Sequence, residues 1–175
     1  MTKTDEIQDL LICDHLRDLD FSWVLRDEVA QPYRDLLCHD HDMTSNLARF
    51  HGGEVELQIF QEGRKPDCYF REVLLTVGEK AVEYGLIRIF LENFPAELRI
   101  AITEGAKPLG AILNESGMKY ASRPGGFLKI PTATFQPDFF PSSSGGFLFG
   151  RYNELIGAGG ELLARIIEIL PQEKS

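Results

Sequence analysis

The sequence predicts an α+β fold: a single domain with a mostly antiparallel β-sheet and short flanking helices. Three observations carry this expectation. Residues 54–60 alternate Val55, Leu57 and Ile59 with Glu56 and Gln58, the period of a half-buried strand. Two further β-rich runs, 69–77 and 81–90, are separated only by Gly78, Glu79 and Lys80, a connection suited to a hairpin. Two short stretches of helical spacing, bounded by proline and glycine, then follow.

In chain order, residues 5–37 carry apolar side chains at Leu10, Leu11, Leu16, Leu19, Phe21, Trp23, Val24, Leu25, Leu36 and Leu37, with Pro32 as a break. This predicts one or two short helices. The strands of 54–60, 69–77 and 81–90 come next. After Asn93-Phe94-Pro95, AELRIAITEG reads as a helix, and Pro108-Leu109-Gly110 opens a second one over AILNES before Gly117. Residues 118–130 predict a strand interrupted by Pro124, Gly125 and Gly126. Residues 135–146 read as a long surface loop within a Pro/Ser/Gly-rich stretch, 131–146, that is a candidate lid. Two apolar runs around Gly157, Gly159 and Gly160 fit a final hairpin, although the pattern of ELLARIIEIL also fits a helix.

The 175 residues, 43% hydrophobic and 26% charged, suit one domain, 1–175, with one core. Eighteen basic against 27 acidic side chains give a net charge of −9, which repels phosphate backbones and anionic lipid. Neither a nucleic acid nor a membrane is therefore an expected partner. The start, MTKTDEIQDLLICDH, lacks the basic-then-apolar pattern of an export signal, and no run approaches the ~18 apolar residues that span a bilayer. Cys13, Cys38 and Cys68 are odd in number and lack CxxC spacing, so a reducing cytoplasm is the expected location.

No GxSxG, HExxH or GxxxxGK[ST] pattern occurs, nor a GxGxxG after a strand. His39-Asp40-His41-Asp42 reads as a polar loop or helix cap, and no metal is expected there. The GAGG at 157–160 reads as a turn. The informative residues are charges that share apolar faces. Alternation groups Arg71 with Tyr69, Val73, Leu75 and Val77, and Arg88 with Tyr84, Leu86 and Phe90. If ELLARIIEIL is a strand, Glu168 falls with Leu162, Ala164, Ile166 and Leu170, and Arg165 with Leu163, Ile167 and Ile169. A buried charge is costly unless paired or serving a ligand, so these residues mark either structural ion pairs or a pocket for a small anion.

The order of several segments resembles the chorismate pyruvate-lyase family. They are LLCHDHDMTSNLARFHGGEVELQIF with Met43-Thr44, YFREVLL with Arg71, GAKPLGAIL with Pro108, Leu109 and Gly110, and FGRYNELIGAGGELLARIIEILP with Arg151 and Glu168. The resemblance covers about residues 20–171. It implies a chorismate lyase-like α+β fold and a carbon–oxygen lyase that removes pyruvate from chorismate to leave 4-hydroxybenzoate, a reaction that often serves ubiquinone biosynthesis. It needs no cofactor. By position in the motifs, Arg71 binds the ring carboxylate, Met43, Leu109 and Gly110 line the same pocket, and Glu168 lies at the other end of the ring. Glu168, held protonated by apolar neighbours, is then the proton or hydrogen-bond donor. Family lyases carry an arginine directly after the glycine of the second hairpin strand; here Gly85-Leu86 stands there, which leaves Arg88 or Arg151 to receive the side-chain carboxylate. The alternatives are a non-catalytic module of the same fold that binds or senses an aromatic carboxylate, and a lyase acting on a related cyclic enolpyruvyl compound.

Overall fold

Seven antiparallel strands in the order β1-β5-β6-β7-β4-β3-β2 organise the chain in the computed structural model, which describes residues 2–11, 16, 18–135, 140 and 145–173. The strands are β1 (Ser22–Val24), β2 (Glu56–Lys65), β3 (Cys68–Val77), β4 (Lys80–Ile89), β5 (Tyr120–Pro131), β6 (Phe147–Gly157) and β7 (Leu162–Leu170). Five short helices accompany them: α1 (Lys3–Leu10), α2 (Tyr33–Leu37), α3 (Met43–His51), α4 (Ala96–Glu104) and α5 (Leu109–Ser116). The α+β reading of the sequence is therefore realised, with β2-β3-β4 a meander and β4 delivered to β7 at the centre of the sheet.

Several local expectations change. The 5–37 region holds α1 and α2 but also β1, which pairs with residues 127–129 of β5. The apolar positions Trp23 and Val24 belong to that edge strand, not to a helix. The interrupted strand expected over 118–130 is β5, Tyr120–Pro131, which runs on past the proline because a register shift between Pro124 and Gly126 absorbs the residue that cannot donate to the ladder. ELLARIIEIL is strand β7, paired on both sides, and the β6–β7 turn closes through Gly160 at φ +87°. The core also begins earlier than residue 20. A capping box between Thr2 and Asp5 starts α1, and its stripe of Ile7 and Leu10 is buried with Leu11 and Leu16.

The two faces of the sheet have different covers. On one, α1 packs over Leu74, Tyr84, Leu86, Tyr152, Ile167 and Ile169. Phe135 joins this cluster, edge-on to Tyr84 and stacked on Phe140. Phe135 and Phe140 of the candidate lid thus pack on the face opposite the helices α3–α5. Residues 136–139 and 141–144 of that stretch lie outside the described residues, as does Cys13. On the other face, α4 and α5 cover Tyr69, Ile87 and Leu155, while α2 and α3 cover Leu75, Val82 and Phe149. Between these two helical covers a gap remains above β3, β4 and β7. Among the described residues no helix is long and apolar enough to cross a membrane.

Candidate functional site

Alternation along β3 sends Arg71, Val73 and Leu75 to the helical face. Pairing sets Arg71 opposite Ile87 and Val73 opposite Gly85 on β4, while Gly85 and Ile87 stand opposite Glu168 and Ile166 on β7. These rows form a floor. Asp42, Met43 and Thr44 at the start of α3, Pro108, Leu109 and Gly110 at the start of α5, and Tyr120 form the walls. The cavity they enclose is small, about 70 Å³.

Two helix starts meet at the rim. Asp42 caps α3 by accepting from Ser45 N at 2.8 Å. A Cβ on Gly110 would stand 3.0 Å from Thr44 Oγ1, so the glycine lets α5 close on α3. The first-turn N–H groups of both helices, Met43 and Thr44 on one and Leu109 and Gly110 on the other, have no intrahelical acceptor and give the rim a positive partial charge.

Arg71 is the buried cation of the cavity, 1% exposed. Nη1 donates to the Ile102 carbonyl at 3.3 Å and the guanidinium lies 5.8 Å from the Tyr69 ring centre, but Nε has no partner among the described residues. Burial lowers its pKa from the ordinary arginine value. Beside it Tyr69 donates to Glu62, and burial together with that bond pushes the phenol up to about 12.

Five of the expected site residues, Arg71, Met43, Leu109, Gly110 and Glu168, line this one cavity. Two others do not. Arg88 points to the α1 face, because it alternates with Ile87 and Ile89; there it binds Asp9 and Asp67, each at 3.3 Å, and Cys68 Sγ. Arg165 stands opposite it in the ladder and reaches Glu6 and Glu154, so both arginines fasten α1 and the sheet rather than a ligand. Arg151 is on the cavity side of the sheet but 0% exposed: it holds Glu168 through Nε and Nη2, and Nη1 donates to the carbonyls of Leu37 and His39. Four of its five N–H hydrogens are engaged in this set, and its side chain is not among those lining the cavity. Glu168 is thus the ion-pair partner of Arg151 and does not stand among apolar neighbours alone.

A residue outside the sequence expectation joins the site. Glu83 lines the cavity, 4% exposed, with Oε2 unpartnered among the described residues. Burial first, and then the charge of Glu168, raise its pKa well above the carboxylate range, against the pull of Arg151. Its signal is present in the sequence, as Glu83, Gly85, Ile87 and Ile89 share one face of β4. His39 sits just behind, and burial and the Arg151 charge lower its pKa. Chemically, the cavity offers a buried guanidinium with one N–H unpartnered among the described residues, helix N-termini, an apolar floor and a carboxylic end.

No family model and no curated protein matches the sequence. Among solved structures the chain is similar to gene product SA0254 from Staphylococcus aureus subsp. aureus N315, with a TM-score of 0.50 and 9% identity over 77% of this chain and 90% of that one. The likeness is one of fold.

Proposed function

We propose that the cavity binds a small cyclic carboxylate and that the chain is a carbon–oxygen lyase of the chorismate pyruvate-lyase type, releasing pyruvate from chorismate to leave 4-hydroxybenzoate. The observation that carries this reading is Arg71: a guanidinium withdrawn from water, with an unused N–H, on the wall of an apolar cavity. Such a cation is costly without an anion, and a planar carboxylate is the ligand whose hydrogen bonds match it. The overall charge of −9 attracts no anions, so capture falls to this group and the adjoining helix N-termini.

In the reaction, the enolpyruvyl ether bond at one ring carbon breaks and a proton leaves the neighbouring carbon. The ring becomes aromatic, and the released enolate takes up one proton at its methylene carbon, balancing the one lost from the ring, to become pyruvate. Aromatisation supplies the driving force, so the protein has mainly to orient the ring and exclude water. Arg71 holds the ring carboxylate, while Leu57, Val73, Ile87 and Leu155 pack against the ring.

The test is incubation of the purified protein with chorismate, following both products. Turnover above a heat-treated control is expected, and none would overturn the lyase. Arg71→Ala should weaken binding about 10- to 100-fold, the range of a charge-assisted hydrogen bond.

One observation favours a second reading, a non-catalytic aromatic-carboxylate module. Chorismate carries two carboxylates, whereas neither Arg88 nor Arg151 lines the cavity. Calorimetric binding of 4-hydroxybenzoate without chorismate turnover would select it, and preference for 3-hydroxybenzoate would point to a lyase for a different cyclic enolpyruvyl compound.

A further inference from the structure

Two buried carboxyl groups border the cavity, and the packing uses only one. Arg151 engages both oxygens of Glu168. Glu83 lies diagonally across the β4–β7 ladder, two residues before Gly85, which is opposite Glu168. Gly85 leaves the floor open beside it: a Cβ there would stand 3.0 Å from Val73 Cγ2 and 3.5 Å from Glu83 Oε1. The carboxyl group thus looks past a missing side chain into the cavity. Arg71 is four residues along β3 from Leu75, the partner of Glu83, so the two ends are about 14 Å apart at Cα.

We propose that Glu83, rather than Glu168, is the carboxyl group that touches the ligand, donating a hydrogen bond from its protonated form to an oxygen on the ring edge remote from Arg71. This deepens, and rests on, the reading of the cavity as a cyclic-carboxylate site. It specifies the ligand further: one carboxylate for Arg71 and a hydroxyl or carbonyl oxygen across the ring. The charged and titratable groups facing Glu83 are Glu168 on β7 with Arg151 behind it on β6, Arg71 on β3, Asp42 at the start of α3 and Tyr120 on β5. The pull of Arg151 counters the charge of Glu168 only in part. Burial and a neighbouring anion then oppose ionisation of Glu83, whose proton is kept for donation. A buried carboxylic acid acting as donor is physically well founded wherever an apolar wall and a second carboxylate meet.

Calorimetry on the full chain with 4-hydroxybenzoate and benzoate as probes tests this. The wild type should bind 4-hydroxybenzoate on the order of tenfold more tightly than benzoate, the worth of one net hydrogen bond. That preference should fall as pH rises through the titration of Glu83. Glu83→Gln keeps an N–H donor in place and should retain the preference without this pH dependence. Glu83→Leu should bind both probes alike. Equal affinities in the wild type, a preference that grows with pH, or a preference that survives in Glu83→Leu would overturn the role of Glu83 and leave the cavity reading standing. Binding of neither probe would overturn both.

Discussion

Arg151 and Glu168 form a pair whose removal and replacement have opposite consequences. With Arg151 changed to Met, Glu168 stays buried without its guanidinium, and the Leu37 and His39 carbonyls lose their donor. Urea unfolding should show a loss of about 3–5 kcal/mol. Adding Glu168→Leu should restore much of it, since an apolar pair of similar volume avoids both desolvation costs. Glu83 contributes to the pH dependence of stability with a definite sign. Its folded pKa lies above its unfolded one. The stability linked to its proton is therefore complete below the ordinary carboxylate range and is lost as pH rises through the raised value. Thermal midpoints of Glu83→Leu should lack that part of the decline as pH rises from the ordinary carboxylate range. Arg71 is legible in the sequence because simple alternation groups it with Tyr69, Val73 and Leu75. Glu83 lies in an equally plain alternation, but only the register that sets Val73 opposite Gly85 reveals that the two faces coincide.

The same dependence on pairing explains which elements could be read in advance. The β3–β4 hairpin is written locally, in two apolar runs around a short connection that the pairing of Val77 with Lys80 narrows to Gly78 and Glu79. The state of ELLARIIEIL is not, because a strand buried on both faces has no polar period; its partners β4 and β6 decide it. Helix α3 escaped the apolar pattern since only Met43, Asn46 and Leu47 of its nine residues are buried. The β6–β7 pair has one close point: a Cβ on Gly150 would lie 2.5 Å from the Glu168 carbonyl oxygen. Backbone cannot yield there as a side chain does. Gly150→Ala should cost about 1–3 kcal/mol in denaturant unfolding, and should disturb the cavity through Glu168 on the facing strand.

For the molecule as a whole, α1 is the cover of one sheet face, fastened by Glu6 to Arg165 and by Asp9 to Arg88. Deleting residues 1–11 would bare Tyr84, Leu86 and Ile167 together, an apolar patch of the kind that drives association. Light scattering and dye binding should both rise, while the Arg71 end of the cavity, on the other face, keeps its lining. The cavity itself joins parts of unequal firmness. Its floor is β3, β4 and β7, each hydrogen-bonded to strands on both sides. Its rim is the starts of α3 and α5, tied near the surface by an exposed contact of 3.4 Å from Asn114 to Ser45. Backbone amides of the floor should exchange with deuterium far more slowly than those of the two helices. A ligand therefore meets a fixed template beneath a yielding roof. The template decides which ring shapes are accepted, and the breathing of two short helices sets the rate at which any ring arrives or leaves.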